Sequence, residues 1–288
     1  MRQLVAPRLA TIDIHHRLLA NVHPPVTKKA FFRKLAARFR HYERMAPKLR
    51  RFNPRPAGFG HLLEKVHGVY DSDANEAKEF RDAIRRCGFD RCPYCGRTRP
   101  PSQIDHFLPR SVFPEFSFFS VNLVPSCPDC NRVKDKDIWN QAGVRLFLHP
   151  YYDRFLGLPF VHLKIVPERT EIFYVPLFEF VFDAPNMSSN DRDTCDSHFD
   201  KLGIRRDLER HFASLLRAEH RRVERSIAVA GYKYSDLDDK HRIDEENFTR
   251  EFGPNCWEAI FARGIYSNQS LMTFLLTQPA SRGGAITR

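Results

Sequence analysis

The stretch that decides the fold spans residues 92–136 and reads Cys92-Pro-Tyr-Cys95-Gly96, then Ile104-Asp-His-Phe-Leu-Pro-Arg110, then Val121-Asn-Leu-Val-Pro-Ser-Cys127-Pro-Asp-Cys130-Asn-Arg-Val-Lys-Asp-Lys136. Each Cys-x-x-Cys pair puts two thiols on one tight turn, so the two pairs supply four sulfur ligands for a tetrahedral zinc site. The paired spacing favours this interpretation over four unrelated buried cysteines. Four thiolates leave no open coordination position, so we expect a structural zinc that binds no substrate.

A β-hairpin followed by a helix is predicted from the residues between and after the cysteine pairs. Residues 104–108 predict a short strand that ends before a proline, and residues 122–124 predict its partner strand. Residues 130–134 predict the first turn of a helix, with Asp129 or Ser126 as the N-cap. One zinc would fasten this hairpin to this helix.

The predicted hairpin and helix bring Asp105, His106 and Asn131 together. A carboxylate and an amide oxygen are hard ligands that suit Mg²⁺ or Mn²⁺, with water and phosphate oxygens completing the coordination. Neutral His106 is suited to take a proton from water for in-line attack on phosphorus. The helix start at Asn131 favours a bound phosphate. Positive charge for the flanking phosphates is expected from Arg110, Arg132 and Lys134.

Taken singly, these residues have ordinary structural explanations: an isolated Asp-His is usually a surface turn, and an Asn before a helix is usually a cap. Their combination inside a frame of four paired cysteines favours a functional site. Between the Asp-His pair and Asn122 lie phenylalanines that either stack on bases or form a small core beneath the hairpin, and we favour the core: Phe113, Phe116, Phe118 and Phe119.

The order Asp-His-x-x-Pro, Asn-Leu, Cys-x-x-Cys-Asn-x-x-Lys resembles the HNH nuclease family over residues 92–139. The resemblance implies an α+β protein with a ββα-metal core, fastened by zinc knuckles, that hydrolyses phosphodiester bonds. It also implies individual roles: Asp105 and Asn131 as ligands of a catalytic divalent ion, His106 as general base, and Asn122 as the residue that orients the loop carrying the histidine. Asn131 stands where the family name has a final His, a replacement that many members share and that bears on metal preference.

A broader resemblance includes the Leu-His-Pro-Tyr-Tyr-Asp segment at 148–153 and is similar to the HNH effectors of bacterial anti-phage systems such as Septu. Those effectors work beside an ATPase partner, so the resemblance implies such a partner and a role in antiviral defence. His149 and Asp153 either line the active-site cleft or form a structural turn.

The net charge of +11 predicts a polyanionic partner, and most of it is concentrated in one segment. Residues 28–51 contain ten Lys/Arg and one Glu, a net of +9 that leaves +2 for the rest of the chain. An amphipathic helix is predicted from Thr27 to Ala46, with an apolar face made by Phe31, Leu35, Phe39 and Tyr42. Its basic side either only solubilises the helix or contacts phosphates, and the phosphate-binding candidates are Lys28, Lys29, Arg33, Lys34 and Arg38.

Cysteine usage and hydropathy indicate a cytoplasmic protein that does not cross a membrane. The chain has seven cysteines, four of them in tight pairs, which favours metal-bound thiolates in a reducing compartment over disulfides. The other three, Cys87, Cys195 and Cys256, are expected to be buried as small apolar side chains. No run of about 18 apolar residues is present, and the start lacks the apolar segment of a secretory signal.

The remaining elements suggest three regions: a basic helical region at 1–72, the nuclease core at 73–150 and an accessory region at 151–288. A helix is expected from Asp73 to Cys87, opened by a capping box of Asp73 and Glu76. In the accessory region we expect a strand pair at 160–166 and 171–182 with a turn at 167–170, a polar loop at 184–197, a helix at 207–230, a polar separator at 235–246, and a helical region at 247–263 interrupted by Gly253-Pro254. The last eight residues are expected to fray.

Three functions are consistent with these patterns. The leading hypothesis is a metal-dependent endonuclease, with DNA favoured by the family resemblance. A second is an RNA- or tRNA-cleaving effector that a partner protein activates. A third is a zinc-stabilised nucleic-acid-binding protein without catalysis. Binding affinity does not separate them, because the basic segment would serve all three.

Overall fold

The described residues of the chain form two compact units. The first unit consists of Gln3–Arg154 and Ser188–Leu202, and the second consists of Phe155–Met187 and Gly203–Arg288. The predicted nuclease core falls in the first unit and most of the accessory region falls in the second. The structure is a computed structural model that describes residues 1–7, 11–20, 29–46, 49, 59, 62–87, 90–134, 139–141, 143–169 and 174–278.

Among the described residues before the cysteine pairs there are four helices: α1 (Thr11–Ala20), α2 (Lys29–Met45), α3 (Leu62–Val69) and α4 (Asn75–Arg86). The predicted basic helix is confirmed as α2. Its predicted apolar face is buried, and Phe32 joins it. The predicted cap Thr27 lies outside the described residues.

Helix α4 begins two residues later than predicted, so the expected capping box at Asp73 is wrong. The N-cap is Ala74, which has no polar side chain to offer. Asp73 is exposed and instead lies 3.5 Å from the ammonium of Lys78. The buried face of α4 is made by Ala77, Phe80 and Ile84.

A hairpin and a short helix follow, made by β1 (Gln103–His106), β2 (Leu123–Ser126) and α5 (Pro128–Lys134). The strands are antiparallel, with His106 opposite Leu123. Neither predicted cap opens α5. The helix starts at Pro128, so Asp129 lies in its first turn, and the buried Ser126 hydroxyl has no hydrogen-bond partner among the described residues. Proline suits this first position because its missing N–H is not needed there.

The long connection between β1 and β2 supplies much of the local core. The phenylalanines that were predicted to form this core are buried, which confirms the core interpretation: Phe113, Phe116, Phe118 and Phe119. Phe119 stacks on Phe39 of α2 with ring centroids 4.0 Å apart, and Phe118 stacks on Phe80 of α4 at 4.1 Å. The predicted core and the N-terminal helices therefore share one apolar interior.

The first unit is completed by two strands of two residues each, β3 (Asn140–Gln141) and β4 (Val144–Arg145), and by a helix, α6 (Ser189–Lys201). The expectation of a polar loop at 184–197 is therefore wrong for most of its length. Ser188 and Asp191 form a reciprocal capping box that opens α6. The capping box stabilises a helix that buries few side chains, namely Thr194, Cys195, His198 and Phe199.

The second unit contains the predicted strand pair, β5 (Val161–Arg169) and β6 (Tyr174–Phe182). The predicted turn at Pro167 is wrong, because β5 continues through it and Pro167 lies opposite Pro176. Opposed prolines fit a ladder position at which neither strand has to donate an N–H.

Four helices follow in the described part of the second unit: α7 (Ile204–Ala230), α8 (Tyr234–Phe252), α9 (Trp257–Tyr266) and α10 (Gln269–Thr277). The predicted helix at 207–230 and the break at Gly253 are confirmed, and Gly253 has a positive φ of 89°. The expected separator at 235–246 is wrong, because it lies within α8. There i,i+4 ion pairs support a mostly polar helix, as in Lys240–Asp244 at 2.6 Å. The final eight residues lie outside the described residues.

No helix in the described ranges has the length and apolar character needed to cross a membrane. Of the three cysteines outside the pairs, Cys195 and Cys256 are buried as expected, and Cys87 is partly exposed.

Helix α9 lies against β5 at Gly264, and this contact gives a stability prediction. A Cβ built on Gly264 would lie 3.1 Å from the Cβ of Leu163 and 2.9 Å from its Cδ2. We expect Gly264→Ala to lower the free energy of unfolding by about 1–3 kcal/mol, because a side chain close to the β5 backbone must shift. Thermal unfolding measures this loss.

Gly68→Ala is the matched control, since Gly68 is also helical and its added Cβ would meet nothing within 4 Å. This substitution should leave stability unchanged or raise it by up to about 1 kcal/mol through helix propensity. Equal effects of the two substitutions would contradict the close contact at Leu163.

Candidate metal-binding and catalytic centre

Four cysteines gather at one point of the first unit: Cys92, Cys95, Cys127 and Cys130. All four are buried, and their sulfur atoms lie within 4.8 Å of one another. The sulfurs of Cys95 and Cys127 are 3.9 Å apart. A tetrahedral zinc with Zn–S bonds of about 2.3 Å requires sulfurs about 3.8 Å apart, so the residues present fit a structural zinc.

The backbone around the cysteines supports this arrangement. Gly96 has a positive φ of 70° and its N–H donates to the Cys92 carbonyl at 2.8 Å, which closes the first turn. On the other side, Cys127 directly precedes α5 and Cys130 lies within it, so the second pair is carried by a helix start. The cluster thus joins the segment before β1 to the helix after β2.

A cavity of about 280 Å³ lies beside β1 and α5. It brings together the three residues that the sequence predicts to act jointly, Asp105, His106 and Asn131. Two predicted phosphate contacts, Arg110 and Lys134, also line it. The other lining residues are His67, Tyr70, Ile104, Pro109 and Ser111.

Asp105 lies in the cavity wall, where Tyr94 and Lys134 both contact its side chain. Its side chain is buried, and its Oδ2 atom accepts a hydrogen bond of 2.6 Å from the Tyr94 hydroxyl. The Lys134 ammonium lies 3.4 Å from the same oxygen. Burial, followed by the Asp105 carboxylate, holds the pKa of Tyr94 well above its usual range, so the phenol stays protonated and donates.

Lys134 is a buried cation, only 5% exposed. Its ammonium lies over the rings of Tyr94, Phe107 and Phe147, at 4.2 Å from the Phe147 centroid. Burial lowers the pKa of Lys134, and the nearby Asp105 carboxylate opposes that shift. The ammonium is therefore directed at Asp105, and its predicted contact with a phosphate stays a prediction.

His106 is partly exposed to the cavity, and its tautomer follows from one hydrogen bond. Its Nε2 lies 2.9 Å from the Ser117 carbonyl oxygen, which can only accept, so Nε2 carries the proton. In the neutral ring Nδ1 then keeps its lone pair. Burial lowers the pKa of His106 to about 4, which keeps the ring neutral at pH 7.

Asn122 is fully buried and bonds to the connection between β1 and β2. Its Oδ1 accepts from the backbone N–H of Leu108 at 2.8 Å and from the Tyr42 hydroxyl at 3.1 Å. Its Nδ2 donates to the carbonyls of Leu108 and Phe116 at 3.1 and 3.2 Å. Asn122 does not line the cavity, and these bonds hold the segment that follows His106.

Asn131 lies inside α5, next to Cys130. Its Nδ2 donates to the Gln103 side chain at 2.9 Å, and its backbone N–H donates to the Cys127 carbonyl at 3.0 Å. The expected phosphate site at a helix start beginning with Asn131 is therefore wrong, because that N–H already has an intrahelical partner. The side chain remains at the cavity.

The predicted phosphate contacts differ in their surroundings. Arg110 lines the cavity and pairs with Asp71 at 2.8 Å, whereas Arg132 lies outside the cavity and is highly exposed. Arg38 pairs with the fully buried Glu115 carboxylate at 2.5 Å, which is a structural ion pair. Exposed on α2 are Lys29, Arg33 and Lys34, and Lys28 lies outside the described residues.

Three residues of this centre were not predicted from the sequence. His67 and Tyr70 come from the region of α3, and the Tyr70 ring meets the His106 ring edge-on at 4.5 Å between centroids. Tyr94 lies between the two cysteines of the first pair. Its position inside Cys-Pro-Tyr-Cys was the one available signal, whereas α3 has no motif that links it to the Asp-His pair.

His149 and Asp153 form a structural turn and do not line the cavity. Asp153 makes two bonds of 2.6 and 2.7 Å with the Arg145 guanidinium and accepts the His149 backbone N–H at 2.7 Å. His149 is fully buried, with its Nε2 3.1 Å from the Tyr42 hydroxyl.

Comparisons with known proteins reach only part of the chain. Protein ea31 of Escherichia phage lambda is 38% identical over 93 residues, which are 32% of this chain and 31% of that protein. The chain thus spans about a third of the length of this relative. No family model matches the chain, and no solved structure matches it.

The cysteine cluster predicts one tightly bound zinc per chain. We expect Cys127→Ser to remove most of the bound zinc and to lower the melting temperature, because structural zinc stabilises the fold that binds it. Metal analysis of the purified protein measures the stoichiometry. Cys256→Ser is the matched control, since Cys256 is buried in the second unit outside the cluster. Equal zinc loss from both variants would contradict the assignment.

Buried, neutral His149 predicts a pH-dependent stability. Burial lowers the pKa of His149 well below 6.5, so as the pH falls below about 6.5 the unfolded chain binds a proton that the folded chain does not. His149→Gln removes this titration but costs packing at every pH. The stability difference between wild type and variant should therefore shrink by about 1.4 kcal/mol between pH 7.5 and pH 5.5.

Urea unfolding at both pH values, in the same zinc buffer, measures this difference. Loss of zinc at low pH affects both proteins equally and cancels in the comparison. A stability difference that stays constant with pH would contradict a neutral His149 in the folded state.

Proposed function

We propose that this protein is a metal-dependent endonuclease of the HNH type that hydrolyses phosphodiester bonds in nucleic acid, with DNA favoured as substrate. One observation carries the proposal. A single cavity gathers Asp105 and His106 of β1 with Asn131 of α5, beside a cluster of four buried cysteines. A carboxylate, a neutral imidazole and an amide oxygen at one cavity are the groups that metal-assisted hydrolysis requires.

His106 is the general base in this proposal. The Ser117 carbonyl holds the proton on Nε2, which leaves Nδ1 to accept a proton from the attacking water. The edge-on contact with Tyr70 restrains the ring, and Asn122 restrains the segment after it. A base held in one tautomer and one orientation loses little entropy on reaction.

Asp105 and Asn131 are the residues that would hold Mg²⁺ or Mn²⁺. Their oxygens are hard ligands, and the Gln103 bond to the amide nitrogen turns the amide oxygen of Asn131 away from Gln103. The bound ion would stabilise negative charge on the phosphate in the transition state. The cysteine cluster would hold zinc only as a structural fastener.

Binding of the polyanion is assigned to the basic side of α2 and to arginines near the cavity. On α2 the charged residues Lys29, Arg33 and Lys34 are exposed while the opposite face is buried. Arg110 lies in the cavity itself. Such contacts recognise phosphates without reading bases, so they are compatible with DNA and RNA.

A cytoplasmic role in anti-phage defence, beside an ATPase partner, is the biological setting that we propose. It rests on the resemblance of residues 92–153 to HNH effectors of such systems. Co-purification from the native host tests the partner, and a chain that is active and isolated without any partner would remove it from the proposal.

The central prediction concerns His106→Ala. With Mn²⁺ or Mg²⁺, the wild-type protein should cleave a plasmid, and the variant should be at least about a hundredfold slower because it lacks the base. Zinc content and melting temperature should stay close to those of the wild type. Gel analysis of plasmid, single strands and tRNA, with and without chelator, measures rate and substrate class.

His162→Ala is the matched control, because His162 is exposed on β5 in the second unit. Cleavage by His106→Ala at the wild-type rate would contradict the catalytic assignment. Binding of duplex without any cleavage by the wild type would favour a non-catalytic nucleic-acid-binding protein, and cleavage of tRNA alone would favour an RNA-directed effector.

A further inference from the structure

Tyr94 connects the cysteine cluster to the Asp105 carboxylate. It lies in the turn Cys92-Pro-Tyr-Cys95, so its backbone is fixed between two of the four sulfurs. Its side chain is 1% exposed, and its hydroxyl donates to Oδ2 of Asp105 at 2.6 Å. A bond this short to a carboxylate belongs to the stronger, charge-assisted class.

The other end of Tyr94 is also fixed. Nε2 of His198, on α6, lies 2.8 Å from the Tyr94 carbonyl oxygen. The Leu148 N–H donates to Nδ1 of the same ring at 3.2 Å, so Nε2 carries the proton and donates to Tyr94. Backbone and hydroxyl of Tyr94 are therefore both held, and this rigidity is transmitted to Asp105.

Because Lys134 lies close to Asp105, the orientation of the Asp105 carboxylate affects how well it can bind a metal ion. The buried ammonium of Lys134 lies 3.4 Å from Oδ2 of Asp105, the same oxygen that Tyr94 contacts. A buried cation competes with a divalent ion for the charge of this carboxylate. Without the phenol, the contact with Lys134 would remain while the hydrogen bond from the cysteine turn would be lost.

We propose that Tyr94 is a positioning residue for the catalytic metal ion: through its hydroxyl the cysteine turn holds Asp105 in the orientation that binds a divalent cation. This inference rests on the proposed function, since it assigns Asp105 to that ion. It implies that the structural zinc site influences the affinity for the second metal ion without contributing a ligand to it.

Tyr94→Phe tests the inference because it removes only the hydroxyl. In zinc-loaded protein we expect Mn²⁺ to bind about tenfold more weakly, the effect of losing one hydrogen bond to a charged group. Electron paramagnetic resonance of free Mn²⁺ measures this binding without nucleic acid. In plasmid cleavage the half-saturating Mn²⁺ concentration should rise by the same factor, while the rate at saturating Mn²⁺ should recover most of the wild-type value.

Tyr151→Phe is the matched control, since Tyr151 is also buried and donates its hydroxyl to a backbone carbonyl, that of Leu123, at 2.8 Å. It should lose stability as Tyr94→Phe does and bind Mn²⁺ as the wild type does. Zinc content should be unchanged in both variants. A Tyr94→Phe protein that binds Mn²⁺ like the wild type, and shows only a lower melting temperature or a lower maximal rate, would overturn the positioning role.

The two proposals fail in different ways. Mn²⁺ binding that weakens in Tyr94→Phe, in a protein that cleaves none of the nucleic acids, would support the positioning role and overturn the proposed nuclease. If the wild-type protein cleaves nucleic acid and Tyr94→Phe has the same Mn²⁺ dependence, the proposed nuclease would be supported and the positioning role overturned. A wild-type protein that binds no Mn²⁺, with or without nucleic acid, would overturn both.

Discussion

The convergence of four cysteine sulfurs is the constraint on which the first unit depends. It brings the turn at residues 92–96 to the start of α5, with the hairpin β1–β2 between them in sequence. A two-stranded hairpin is only marginally stable alone. We therefore expect the cysteine cluster at the base of this hairpin to contribute much of its stability. The burial of all four thiols indicates that they form part of the core and not a surface site.

Two buried ion pairs of the first unit differ in their geometry. Asp153 makes two bonds with Arg145, the shorter of 2.6 Å, and accepts a backbone N–H, whereas the Asp105–Lys134 distance is 3.4 Å. A buried charge is stabilising only when its partners compensate its lost hydration. The first pair has the features of a structural support. The second lies in the cavity wall, where the Lys134 ammonium also lies over three aromatic rings.

Local patterns predicted several elements well, because the physical signal lies within each element. The apolar stripe of α2, the alternating and aromatic residues of β5 and β6, and the stripe of α7 all describe one face buried against a core. Helices α6 and α8 were missed because few of their side chains are buried. Their stability comes from a capping box at Ser188 and from i,i+4 ion pairs such as Lys240–Asp244, which weigh little in a hydropathy pattern.

The amino-acid order alone predicted the cysteine cluster and the residues expected to act together, because ligand spacing and the Asp-His pair are local in sequence. The surroundings of those residues were decided by tertiary structure. His198 meets Tyr94 across 104 residues, Tyr42 meets Asn122 across 80, and α3 brings Tyr70 to His106. Such contacts have no period and no motif, since they arise only when separate elements bury their apolar faces together. Whether Asp105 faces a lysine, a tyrosine or a metal ion is therefore decided by the packing of the folded chain.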